Sequence, residues 1–217
     1  MNREWSELNK AMQEKLRRES TFAEGLDDLF TLRKQLMEML DSFETELSRE
    51  DFSAMPFPNA KGYHCKTIAY SIWHIFRIED IVAHTLIRGD EQVFFGGNYQ
   101  KRMGAPIMTT GNELVGSEIA EFSEKLNLQE LYSYIKEVKD STEKIIRELP
   151  YGGLKKKIPG ERKEALLALG AVSTDESAAW LVDYWCRKDI EGLIRMPLSR
   201  HWIMHTEACL RIKSGLK

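Results

Sequence analysis

The chain has 217 residues, of which 42% are hydrophobic and 30% charged, and its 31 basic and 34 acidic side chains leave a net charge of −3. That length and mixture suit one globular domain with a sizeable core, and the small charge bias gives no footing for nucleic acid or an anionic membrane surface as partner. A small molecule or a protein partner is the expected ligand. The start Met1-Asn2-Arg3-Glu4-Trp5 has no leader pattern, and no apolar stretch approaches the roughly 20 residues needed to span a bilayer, so a cytoplasmic location is expected. Cys65, Cys186 and Cys209 lie far apart without a Cys-x-x-Cys, which argues for reduced thiols and against a disulfide framework or a thiolate zinc knot.

In chain order, Trp5, Leu8, Met12 and Leu16 recur at helical spacing and predict a short amphipathic flanking helix in residues 1–20, packed as a flap. Phe22, Leu26, Leu29, Leu36, Leu40, Phe43 and Leu47 step by fours and threes, the pattern of a bundle seam broken only by Arg33. Pro56 and Pro58 end that unit in a loop. A second long helix is predicted over 66–88, with Ile68, Ile72, Ile75, Val82 and Leu86 on one face and Gly89-Asp90 as its stop. The stretch 89–118 holds glycines 96, 97, 104, 111 and 116, with Phe94, Phe95 and Tyr99. It is either a cover over a pocket or a surface crossover.

Asn127-Leu128-Gln129-Glu130 has capping-box form and opens a third helix through Leu131, Ile135, Val138, Thr142 and Ile145 to Leu149. Pro150-Tyr151-Gly152-Gly153 closes it, and the run Lys155-Lys156-Lys157 reads as a solvated loop. A further cap at Ser173-Thr174-Asp175-Glu176 predicts a helix through Trp180, Leu181, Tyr184 and Trp185 to about Arg195, and Pro197 opens a last one to Lys213. No segment shows period-two alternation or a hairpin turn. The expected fold is all-α: a four-helix bundle with a long crossover between helices 2 and 3, plus extra short helices, in a single domain over 1–217.

Chemistry concentrates in the last helix. At about 100° per residue, His201, His205, Ala208 and Ile212 fall within roughly 60° of one another, while Arg200, Glu207, Arg211 and Lys213 point elsewhere. Two inward imidazoles need partners. A divalent metal satisfies both at i, i+4 spacing; buried histidines held by structural hydrogen bonds are the alternative. A metal site that does chemistry commonly uses three protein ligands, and the candidates for the third are His64, His74 and His84. His64 adjoins the proline loop, and His84 shares a polar face with Arg77, Asp80 and Arg88, which suits a solvated side chain. His74, beside Ile78, Ile81 and Thr85 though on the flank of the apolar stripe, is the best placed. Cys209, one turn beyond His205, reads as a packing residue or as a group flanking the site. Glu79 lies on the apolar face and requires a partner: an ion pair with Arg33 is expected, with support of a ligand histidine or a general-base role as alternatives.

The pairing of Ser71-Ile72-Trp73-His74-Ile75-Phe76-Arg77-Ile78-Glu79 with His201-Trp202-Ile203-Met204-His205 resembles the DinB-like (DinB/YfiT) superfamily of metal-binding four-helix bundles. That family carries a histidine in its second helix, a carboxylate five residues later, and an H-x-x-x-H pair in its fourth. The resemblance spans about residues 22–214 in helix order and implies His74, His201 and His205 as metal ligands. Thr206-Glu207-Ala208-Cys209 departs from the His-Arg-Gly-Gln-like continuation of many relatives. It further implies a metal-dependent transferase, isomerase or hydrolase acting on a small molecule, with a low-molecular-weight thiol such as bacillithiol or mycothiol as possible cosubstrate. With the wide apolar faces, it also points to a homodimer. Zinc, nickel or iron would suit three imidazoles. The competing readings are a non-enzymatic metal-binding stress or partner-binding protein, for which Trp5, Trp180 and Trp185 would mark an interface, and a metal-free helical dimer.

Overall fold

The computed structural model describes residues 2–216, which are all-α; among them the only extended pairing is an isolated bridge between Lys157 and Asp189. Helix α1 (Arg3–Lys15) begins where the Asn2 side chain accepts from the amides of Glu4 and Trp5. It packs along α2 (Phe22–Glu46), burying Trp5, Met12 and Leu16. Gly25 makes this approach possible, since a Cβ there would meet the Leu16 amide nitrogen at 3.0 Å.

Helix α3 (Ile68–Asp80) starts at Thr67, whose hydroxyl accepts from the Tyr70 amide at 3.1 Å. Every one of its residues is buried. That all-round burial explains the unusually wide apolar stripe, because α3 is enclosed by protein on each side. The helix continues as a π-wound segment, Ile81–Arg88, which ends at Gly89 in the left-handed region (φ 78°). Helix α4 (Leu128–Arg147) is capped by the Asn127 side chain on the Glu130 amide, and its seam residues Leu131, Ile135, Val138, Thr142 and Ile145 are buried as expected. Helix α5 (Glu176–Cys186) follows, and α6 (His201–Ser214) closes the chain after a π turn, Met196–Arg200, carrying Pro197. Leu36 and Phe43 of α2, Ile72 and Phe76 of α3, Ile135 and Val138 of α4, and Trp202 and Ile203 of α6 share one core. No helix among the described residues is long and apolar enough to cross a membrane.

The crossover 89–118 is fastened rather than free. It contains the short helices Val93–Gly96 and Tyr99–Met103. Asp80 accepts from the Val93 and Phe94 amides at 2.9 Å each and from the Tyr134 hydroxyl at 2.9 Å. Arg77 donates to the Met108 carbonyl at 2.8 Å and to Gln92 Oε1 at 2.9 Å. These buried charges thus hold the crossover onto α3 by bonds that leave little of either group unsatisfied.

Three expectations are corrected. Helices Ser117–Lys125 and Gly160–Ala168 were not expected; each is short and presents few apolar residues, Ile119 and Phe122 in one and Leu166 in the other, so packing and not local pattern holds them. The helix expected to run to Arg195 stops at Cys186, because the Asp189 side chain accepts from the Gly192 amide at 2.8 Å and caps a separate helix, Ile190–Arg195; its start likewise shifts from Ser173 to Asp175 as cap. His84 is buried, not solvated: Nδ1 meets Asp90 at 2.7 Å and Nε2 meets Ser141 at 3.0 Å, so protein groups replace water.

The expected Arg33–Glu79 pair forms and joins three helices. Arg33 donates to both Glu79 oxygens, at 2.9 and 2.7 Å, and to the Leu198 carbonyl at 3.0 Å. The Trp202 indole N–H donates to Glu79 at 2.7 Å, with the guanidinium 4.3 Å from the centre of its ring. Burial by itself would lower the Arg33 pKa, but the Glu79 carboxylate together with Glu143, 3.3 Å from Arg33 Nε, outweighs it and the net direction is upward. Glu79→Ala is therefore expected to destabilise the fold by about 3–5 kcal/mol, since it leaves the buried cation with only the single, longer contact to Glu143. The double replacement Arg33→Met with Glu79→Leu should recover much of that loss. Urea midpoints of the three proteins check both statements.

Candidate metal centre

Helix α6 places His201 and His205 one turn apart on its buried face, and α3 presents His74 to them. One nitrogen from each imidazole lies within 4.8 Å of the other two, and ring centroids are 4.4 to 5.0 Å apart. Tetrahedral zinc with nitrogens at about 2.0–2.1 Å would need separations of about 3.4 Å, so modest side-chain rotations close the set. The flank position of His74 is no obstacle, because α3 has no solvent-facing side.

His74 Nδ1 donates to the Thr110 carbonyl at 2.8 Å, which fixes the tautomer and leaves Nε2 as a free lone pair. Tyr70 stacks on the same ring, with planes 10° apart, and donates its hydroxyl to the Gly111 carbonyl at 2.9 Å. The crossover thus sets the rotation of His74. By contrast, His201 Nδ1 and both nitrogens of His205 are buried with no hydrogen-bond partner among the described residues. Native interiors rarely leave such groups unsatisfied, and a cation is the partner that one lone pair from each of the three rings suits, the second nitrogen of a neutral imidazole being an N–H donor.

The electrostatics agree. Burial pushes the His74 pKa down to about 4, and burial followed by mutual repulsion drives His201 and His205 well below the usual imidazole value. All three are therefore neutral near pH 7, the form that ligates metal. Lys66, its ammonium 5.0 Å from the centre of the Tyr70 ring, presses His74 and His205 in the same direction.

The three candidates meet, while the other singled-out residues lie elsewhere. His64 sits outside the triad in the short turn Gly62–His64. Cys209 is buried in the core with its thiol pushed up to about 12 by burial, which suits packing and not ligation. Glu79 is committed to Arg33 and Trp202, so it neither supports a ligand imidazole directly nor stands free as a base. The group that does support His74 is the Thr110 carbonyl, a backbone atom that no residue pattern marks.

A cavity of about 220 Å³ adjoins His74 and His201. Tyr63 and Asn112 line it together with Trp180, Tyr184 and Trp185 of α5. The α5 helix is what residue spacing could not connect to the histidines, since the approach is made only by chain reversal between them. The tyrosine of that rim, Tyr63, also packs 4.5 Å from the His205 ring.

Because the folded pKa values lie below the unfolded value near 6.5, the unfolded metal-free chain binds more protons between the two. Metal-free protein should hold its full stability above about pH 6.5 and lose it progressively as pH falls toward 4. Denaturant melts across that window check this, and His74→Gln should flatten the slope. No protein-family model and no curated protein matches the chain.

Proposed function

We propose that the protein binds a divalent metal through His74, His201 and His205 and uses it as a metal-dependent enzyme of DinB-like type, a transferase or hydrolase acting on a small molecule. The observation that carries this reading is the convergence of three buried neutral imidazoles, two of which have nitrogens without a hydrogen-bond partner among the described residues, beside a cavity of about 220 Å³. Bound there, zinc, nickel or iron would supply Lewis acidity, lowering the pKa of a water or holding a substrate thiol as its thiolate near neutral pH. The resemblance of the His74 and His201–His205 segments to that superfamily supports the same reading.

The chain's own residues have distinct parts. His74, oriented by Thr110, and the α6 pair hold the cation. The Arg33–Glu79–Trp202 network keeps α6 in register with α3. The aromatic wall of α5 limits water around the site and bounds the space for substrate. The cavity at the histidine edge favours an open coordination position over a site closed by protein ligands.

Protein purified without an affinity tag is expected to take up one equivalent of metal, measured by elemental analysis. His205→Ala should weaken zinc binding by more than the roughly 10- to 100-fold that loss of a group merely supporting a ligand costs. Metal-loaded wild type, incubated with low-molecular-weight thiols and a chromogenic electrophile, should form conjugates faster than His205→Ala; equal rates would refute the transferase reading.

A further inference from the structure

The cavity beside the histidines has a chemical character of its own. At about 220 Å³ it exceeds the roughly 150 Å³ that encloses a benzene molecule, so a single ring with a short substituent fits and a large conjugate does not. Its far wall is Trp180, Leu181, Tyr184 and Trp185, continued by Met196 and Pro197. Trp185 is 1% exposed and Leu181 4%, so this inner part of the wall belongs to the packed core as well as to the cavity, while Tyr184 is half-buried and Trp180 is exposed at its outer margin. None of the lining side chains carries a formal charge.

The nearby cations already have partners and are not part of the lining. The Lys188 ammonium lies 4.2 Å from the centre of the Tyr184 ring, and Arg187 meets Asp183 at 3.4 Å. Both border a neighbouring shallow depression that shares Trp180 and Tyr184 with the cavity. Lys66 packs on Tyr70 and is not part of the lining. Besides the Tyr184 hydroxyl and the Trp185 indole N–H, the polar features of the lining are at the histidine side. There Asn112 Oδ1 accepts from the Thr110 hydroxyl at 2.7 Å, which leaves its amide N–H groups as donors.

We propose that this cavity takes the flat, neutral aromatic portion of a small molecule, with the ring against Trp180, Tyr184 and Trp185 and a single polar group turned toward His74, His201 and Asn112. An anionic substituent at the ring's far end would face a largely apolar wall that offers no cation and be rejected. Thiols that carry carboxylates would have to leave them outside the cavity. The direction of the polar group rests on the metal reading above, whereas the fit of the ring follows from the wall alone.

The test compares (4-methylphenyl)methanethiol with 4-(mercaptomethyl)benzoate, two molecules that share ring and thiol and differ in a far-end methyl or carboxylate. Binding is followed by calorimetry and by tryptophan fluorescence, to which Trp180 and Trp185 contribute, in both metal-free and zinc-loaded protein. The neutral thiol should bind at least about 10-fold more tightly in each form, as expected for a charge denied a partner. Tyr184→Arg should narrow or reverse that preference without changing zinc uptake. Equal affinities, a preference for the carboxylate, or no binding of either thiol would overturn the proposal. Zinc uptake without a preference would refute the pocket assignment and leave the metal reading standing; a preference without zinc uptake would do the opposite.

Discussion

The buried contact of Arg33, Glu79 and Trp202 is the constraint on which the geometry of the histidine cluster depends. Glu79 lies five residues beyond His74 on α3, and Trp202 directly follows His201 on α6. When one carboxylate accepts two bonds from a guanidinium of α2 and one from the indole of α6, three helices are tied at a single point. A slide or rotation of α6 would strand charges in a region with no water to replace the lost bonds. Apolar packing alone tolerates such shifts better, because it lacks directional bonds. The polar knot in the core therefore carries specificity that Leu and Ile seams do not.

A second polar knot does the same for the crossover. Asp80 and Arg77 hold the start and middle of 89–118 onto α3, and the Tyr70 hydroxyl holds Gly111. The Thr110 carbonyl is thereby presented to His74 as a fixed acceptor. The two knots keep their formal charges matched within themselves, so the imidazole cluster lies in a setting with no nearby carboxylate among its ring and hydrogen-bond contacts. Neutral nitrogens in such a setting suit a cation, and an open edge suits a ligand to it.

That edge is shaped by α5, a helix outside the shared four-helix core. Its aromatic face closes over the space left between α3 and the π turn that leads into α6. One wall thus packs the fold and bounds the cavity at once, so small changes there would alter both. Trp180, 52% exposed, forms its outer margin.

Much of this was legible before any coordinates. The three-four spacing in α2 and α4, the cap at Asn127, and the i, i+4 histidines are local properties, set by helix periodicity and by side-chain reach along one turn. Charged residues placed on apolar faces, Arg33 and Glu79, announced a partner because an unpaired buried charge is so unfavourable. Helix-face reading made His74 the best placed of three candidates, and the resemblance implied its pairing with α6, since nothing local relates residues more than a hundred positions apart. Only tertiary structure decided the rest. It buried His84 by bringing Asp90 and Ser141 to it, gave His74 a backbone carbonyl as its support, cut the helix at Asp189, and set α5 against the cluster. Each of these depends on which distant surfaces meet, and such meetings are fixed by the mutual packing of whole helices, a quantity no short run of residues contains.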